Sequence, residues 1–257
     1  MKPAVVCVPG SVAPAAQRYK PLLDLAGEVA DMRLKDLEVY REAQPPAGYS
    51  IEMELEGLDR FADANGLARF HLVAYSGGGF ISLAYAATRP RRVISLAVFE
   101  PARIPGRLTD EERSFFTQLE SKLAGLQGAE FMSTFVREQV QPGVVVAPPA
   151  GPPSAEMQKR PGGIAALLLA FDAYSFDRAL LRSAPFPVYY GYGDQSHDEQ
   201  ALKAGVLAQL LRDVRVRRFA GVHHFVPPEL IYTQEHVDDL VELWRKAERS
   251  GAQPTLQ

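Results

Sequence analysis

The sequence predicts an α/β fold, a mostly parallel open sheet of about six strands with helices on both faces. Three observations carry that prediction. Short β-rich runs alternate with segments of helical period almost from the first residue, the pattern of βα units that build a parallel sheet. Several of those runs are continuously apolar, as strands covered on both faces tend to be. The chain has 257 residues, 47% of them hydrophobic, enough for one sizeable core.

The strand candidates are Ala4 to Val8, Val29 to Leu34, Phe70 to Tyr75, Val93 to Phe99, Phe186 to Tyr190 and Val214 to Phe219. Between them the spacing predicts helices over Ala15 to Leu25, Ile51 to Ala64, Gly78 to Thr88, Glu199 to Leu211 and Gln234 to Arg249. Asn65-Gly66 follows one helix as a C-terminal cap able to turn left-handed, and Pro90 stops another. The alternation breaks once. From Ile104 to about Ser183 the chain offers helical pieces around Phe115, Phe131 and Leu168, split by a Pro- and Gly-rich stretch from Pro142 to Gly163 that reads as a loop. The organisation expected is therefore a core of residues 1–103 and 184–257 carrying an inserted helical lid of residues 104–183.

A formal net charge of -3 provides no basic field for nucleic acid, so none is expected as a partner. The basic clusters Arg89 to Arg92 and Arg212 to Arg218 are short and interrupted, which fits solvated faces. The single cysteine, Cys7, lies in an apolar run and cannot form an internal disulfide. No cysteine and histidine cluster of metal-ligand spacing is visible, so no structural metal is expected. No apolar stretch approaches the roughly twenty residues that cross a bilayer. The N-terminus lacks the pattern of a signal peptide, and the expectation is a cytoplasmic monomer or homodimer acting on a small molecule.

The most informative segment is Phe70-His71-Leu72-Val73-Ala74-Tyr75-Ser76-Gly77-Gly78-Gly79, an apolar strand running into a serine, three glycines and a helix. A serine on so sharp a turn takes a strained backbone, which demands small neighbours two positions away on either side, here Ala74 and Gly78. The turn projects the hydroxyl outward, and the helix that follows aims backbone N–H groups, beginning with Gly77, at the same spot. Other readings of such a turn are close helix packing or a phosphate loop, but no Gly-x-x-x-x-Gly-Lys-Ser/Thr or Gly-x-Gly-x-x-Gly pattern follows any strand candidate.

Ala74-Tyr75-Ser76-Gly77-Gly78 resembles the nucleophile elbow of the α/β-hydrolase superfamily, with Ala74 where the family usually has glycine. The resemblance covers Ala4 to about Pro101 and Pro185 to about Ala247. It implies the α/β-hydrolase fold, with Ser76 as nucleophile and a histidine and an acid further along the chain. It places the histidine in Gly221-Val222-His223-His224-Phe225, after the last strand. With Gly221 as anchor, His224 takes the role ahead of His223. The acid is expected after the penultimate strand, at Asp194 in Tyr190-Gly191-Tyr192-Gly193-Asp194, with Glu100 in Phe99-Glu100-Pro101 as the alternative that some members use. The second oxyanion donor is expected in Val8-Pro9-Gly10-Ser11-Val12, with Ser11 joining Gly77. Tyr75 and Phe225 are the substrate-binding candidates.

The resemblance implies hydrolysis of an ester or thioester through an acyl-serine intermediate, a route that requires no metal or organic cofactor. The apolar lid and Phe225 suggest a medium-sized, partly apolar substrate. A carbon–carbon hydrolase or lyase could use the same triad, and a ligand binder without turnover is the alternative from another class. Haloalkane dehalogenases and epoxide hydrolases share the fold but use a carboxylate where this chain has Ser76.

Overall fold

The structure, a computed structural model, describes residues 2–147 and 152–251. Six strands form one parallel sheet: β1 (Ala4–Val8), β2 (Asp31–Leu34), β3 (Phe70–Tyr75), β4 (Val93–Phe99), β5 (Val188–Gly193) and β6 (Val214–Phe219), in the order β2-β1-β3-β4-β5-β6. The register pairs Val8 with Ala74, Tyr75 with Phe99, and Phe99 with Gly191, which aligns the C-terminal ends of the central strands.

Among the described residues twelve α-helices accompany the sheet, with a short 3-10 turn at Glu38–Tyr40. α1 (Ala15–Arg18), α2 (Lys20–Ala26), α3 (Ile51–Ala64) and α4 (Ser76–Thr88) lie among the first four strands. Between β4 and β5 come α5 (Asp110–Leu123), α6 (Gly128–Arg137), α7 (Ala155–Gln158), α8 (Arg160–Ala173) and α9 (Ala179–Arg182). α10 (Glu199–Leu210), α11 (Pro228–Ile231) and α12 (Gln234–Gly251) complete the chain. Among the described residues no helix is long and apolar enough to cross a membrane.

Side-chain alternation along the strands explains why both faces are covered. Val6, Val8, Leu72, Ala74, Leu96, Val98 and Tyr190 pack into one core with α3, α4 and α10. Their neighbours Val5, Cys7, Val73, Tyr75, Ala97, Phe99 and Tyr189 pack into the other, with α1, α2, α11 and α12.

Two elements differ from expectation. The helix predicted over Ala15 to Leu25 is broken at Tyr19, because Pro21 has no N–H to continue the ladder and instead occupies the first turn of α2. The loop predicted from Pro142 to Gly163 contains α7 and the start of α8. Ser154 caps α7 by accepting from the Met157 N–H at 3.3 Å, and Pro161 opens α8. Residues 148–151 of that stretch lie outside the described residues.

β1 is flanked by β2 on one side and β3 on the other, so the chain reverses its direction of travel across the sheet there. In an open parallel sheet a crevice forms at such a point, beyond the carboxyl ends of the strands. The loop after β1 carries Ser11 and the turn after β3 carries Ser76.

Candidate active site

Ser76 sits where β3 passes directly into α4, with a left-handed backbone, φ 52°. Close packing forces this geometry and dictates its small residues. A Cβ on Gly78 would stand 2.3 Å from the Pro9 carbonyl oxygen, and one on Gly10 would stand 2.8 Å from Ser76 Cβ. The two loops therefore lie against each other because each has a glycine at the contact.

The hydroxyl of Ser76 lies 3.1 Å from His224 Nε2, and His224 Nδ1 lies 2.5 Å from Glu100 Oε2. All three side chains are buried. A carboxylate only accepts, so Nδ1 carries the proton and donates to Glu100, which leaves the Nε2 lone pair to accept from Ser76. Burial lowers the His224 pKa below its ordinary value, Glu100 opposes that shift, and the cations Lys203 and Arg18 reinforce it. His223, half-buried beside it, turns its Nδ1 back to accept from the Phe225 N–H at 3.1 Å.

Asp194, the acid expected from its place in the chain, does not reach His224, and this is a correction. Its Oδ1 accepts from the Gly221 N–H at 2.8 Å, and Oδ2 lies 3.9 Å from exposed Arg218. The carboxylate facing His224 comes from Glu100, which follows β4 in a left-handed conformation, φ 46°. The end of β5 and the loop after it supply donors to it instead: the Gly193 N–H and the Ser196 hydroxyl donate to Glu100 Oε1 at 2.7 and 2.6 Å. Those two bonds fix the carboxylate and leave Oε2 to the imidazole.

Ser11 and Gly77 flank Ser76. The Ser11 backbone nitrogen lies 3.7 Å from where a Cβ on Gly77 would be, and both residues line the same cavity as Ser76. That cavity has about 30 Å³ of free space. Its walls come from the segment between β4 and β5, through Phe115, Phe116, Leu119, Phe135, Ile164, Leu167, Leu168 and Phe171, with Arg103, Gln139 and Glu199 as its polar members. Burial raises the Glu199 carboxyl to about 7, although Lys203 sits 2.9 Å away.

Tyr75, expected to bind substrate, is not part of this wall. Strand alternation turns it to the opposite face, where it stacks on His224 with ring centroids 4.9 Å apart and its hydroxyl donates to the His224 carbonyl. Phe225 meets the His224 ring edge-on at 4.8 Å and packs against the cluster formed by α5, α6 and α8, but does not line the cavity. The lining residues between β4 and β5 are legible in the sequence as apolar residues but not as a wall, because their assignment depends on how three helices fold back over Ser76. Among the described residues, no group of three or more His, Cys, Asp or Glu side chains could hold a metal ion.

A family model described as the alpha/beta hydrolase fold matches residues 30–229. No curated protein matches the chain. Among solved structures, a carboxylesterase of the ammonia-oxidizing thaumarchaeon Nitrososphaera gargenis is 15% identical, with 96% of this chain and 92% of that one covered at a TM-score of 0.69. A thermophilic esterase from Thermogutta terrifontis is 17% identical, covering 96% and 91% at 0.68. A meta-cleavage product hydrolase from Pseudomonas fluorescens, in a mutant form complexed with acetates, is 15% identical, covering 95% and 91% at 0.67. With a matching family model over most of its length, and with a parallel six-stranded sheet and a serine elbow after β3, the chain belongs to the α/β hydrolase fold family.

Proposed function

We propose that this protein is a serine hydrolase that cleaves an ester or thioester of a medium-sized, partly apolar small molecule through an acyl-Ser76 intermediate. One observation carries the reading: the continuous buried line from the Ser76 hydroxyl through His224 to Glu100, opening on a cavity with an apolar wall.

Ser76 attacks the substrate carbonyl while His224 Nε2 takes its proton, and Glu100 holds the imidazole in the tautomer that can do so. The Ser11 and Gly77 N–H groups receive the oxyanion, with the N-terminal end of α4 adding its field. His224 then returns the proton to the leaving group, and water deacylates Ser76 by the same route. Phe116, Phe135, Leu167 and Phe171 suit an apolar acyl or alcohol portion. The 30 Å³ of free space holds little more than one water, so binding requires α5, α6 and α8 to shift away from Ser76. The same triad serves carbon–carbon cleavage equally well, and the meta-cleavage relative keeps that chemistry in the substrate panel.

The test is labelling with a fluorophosphonate followed by peptide mapping, with steady-state turnover of p-nitrophenyl esters and acyl thioesters alongside. A single adduct at Ser76, lost in Ser76→Ala, and product beyond one equivalent per protein are expected. Ligand-induced stabilisation without turnover would instead make the protein a binder.

A further inference from the structure

Arg18, in α1, is a buried cation. Its side chain is almost wholly enclosed, its Nε and Nη2 have no hydrogen-bond partner, and among the described residues no carboxylate pairs with it. Buried charges are normally paired, because desolvation of a lone cation is expensive. What Arg18 does contact is aromatic. Its guanidinium carbon lies 3.5 Å from the centroid of Tyr75 and 6.0 Å from that of Tyr232. Tyr75 in turn stacks on His224, the two planes inclined by 24°, and holds the loop of His224 through its hydroxyl. A planar cation over an aromatic face is held by the ring quadrupole, and that attraction strengthens where water is excluded.

Building on the reading of Ser76 and His224 as nucleophile and base, we propose that Arg18 is a positioning residue for His224: it clamps Tyr75 beneath the imidazole, and its uncompensated charge opposes a second positive charge there.

The other groups that face His224 do not fill this role. Glu100, from the end of β4, favours the charged imidazolium. Lys203, from α10, opposes it too and is the larger of the two charge effects, but its hydrogen bonds go to Glu199 at 2.9 Å and to the carbonyls of Pro101 and Ala102, none of them part of the Tyr75 stack. His223, next in the chain, is turned to the Phe225 N–H, and Ser76 and Tyr75 are uncharged. Arg18 is thus the cation that lies on the ring stacked against His224 and that pairs with no carboxylate among the described residues, and together with Lys203 it lowers the His224 pKa alongside burial itself. The base accordingly stays neutral, and able to accept a proton, at a pH where an ordinary histidine is half charged.

The experiment is the pH dependence of Ser76 inactivation by a fluorophosphonate, between about pH 4.5 and 9, for the full chain and its Arg18→Met and Arg18→Lys variants. In Arg18→Met the acid limb is expected to move up by about half a pH unit or more, so that the rate below the limb falls roughly threefold or more relative to its own plateau. Arg18→Lys restores the charge and moves the limb back toward the parent. If Arg18→Met does not fold, Arg18→Gln, planar and neutral, reads the same shift. An unmoved limb with a lowered plateau marks a purely structural side chain and overturns the proposal. If the parent protein forms no Ser76 adduct at all, the nucleophile assignment itself fails and the proposal falls with it, an outcome distinct from an unmoved limb.

Discussion

Glu100 Oε2 lies 2.5 Å from His224 Nδ1, and neither side chain is open to solvent. The carboxylate that orients the histidine therefore comes from the end of β4, in the middle of the sheet, while Asp194 caps a surface turn by accepting from Gly221. This pairing leads to a direct test. Glu100→Gln preserves shape but cannot hold the Nδ1–H tautomer as a carboxylate does, and kcat/KM for a p-nitrophenyl ester should fall by about 10³- to 10⁴-fold. Asp194→Asn should stay within about threefold of the parent, in line with a partly exposed side chain outside the relay. The reverse ranking would return the acid role to Asp194.

A second serine, histidine and glutamate set lies elsewhere in the fold. Ser95 Oγ is 2.7 Å from His71 Nδ1, and His71 Nε2 is 3.2 Å from Glu248 Oε1. Ser95 and His71 are fully buried, and Ser95 lies within β4, with neither an elbow nor a helix N-terminus beside it. Peptide mapping should find no adduct at Ser95. Ser95→Ala should leave Ser76 labelling at the parent rate and lower stability by about 1–2 kcal/mol in urea unfolding, the cost of a buried bond left open.

Stability should also depend on pH through His236. Burial lowers its pKa from 6.5 to about 4, and its Nδ1 is held by the Ile231 carbonyl at 3.0 Å. Above pH 6.5 the side chain is neutral in both folded and unfolded chains and stability does not change with its titration. As pH falls from 6.5 toward 4 the unfolded chain takes up a proton that the folded chain refuses, so stability declines by up to about 3 kcal/mol. His236→Asn, which cannot titrate, should show a shallower decline in urea unfolding between pH 7.5 and 4.5; parallel slopes would exclude His236 as a source.

Leu167 reaches from α8 to within 3.8 Å of the Cβ position over Gly77, so it closes the cavity next to Ser76. Leu167→Ala should shift the preferred ester toward longer acyl chains, read as kcat/KM across p-nitrophenyl acetate to octanoate. It should also cost about 2–4 kcal/mol of stability, because the same side chain belongs to the main core. An unchanged chain-length profile would place acyl binding elsewhere.

What the sequence alone determined is the set of features that neighbouring residues decide together. The β-rich runs are β1 to β6 to within a few residues, the central ones because a strand buried on both faces needs a short unbroken apolar run. The elbow at Ser76 is legible in its own segment through the small residues Ala74 and Gly78, although the contact that Gly78 and Gly10 permit joins that turn to the distant loop after β1. Tertiary structure alone decided which of two acids, each at the end of a strand, faces His224. Their order in the chain does not distinguish them. The left-handed backbone at Glu100 and the donors from Gly193 and Ser196 do, and both depend on β4 lying beside β5 in register. For the same reason the wall of α5, α6 and α8 over Ser76, and the placing of Arg18 over Tyr75, had no local signature. Each is a contact between segments far apart in the chain, chosen by packing that a periodicity of two or 3.6 residues does not encode.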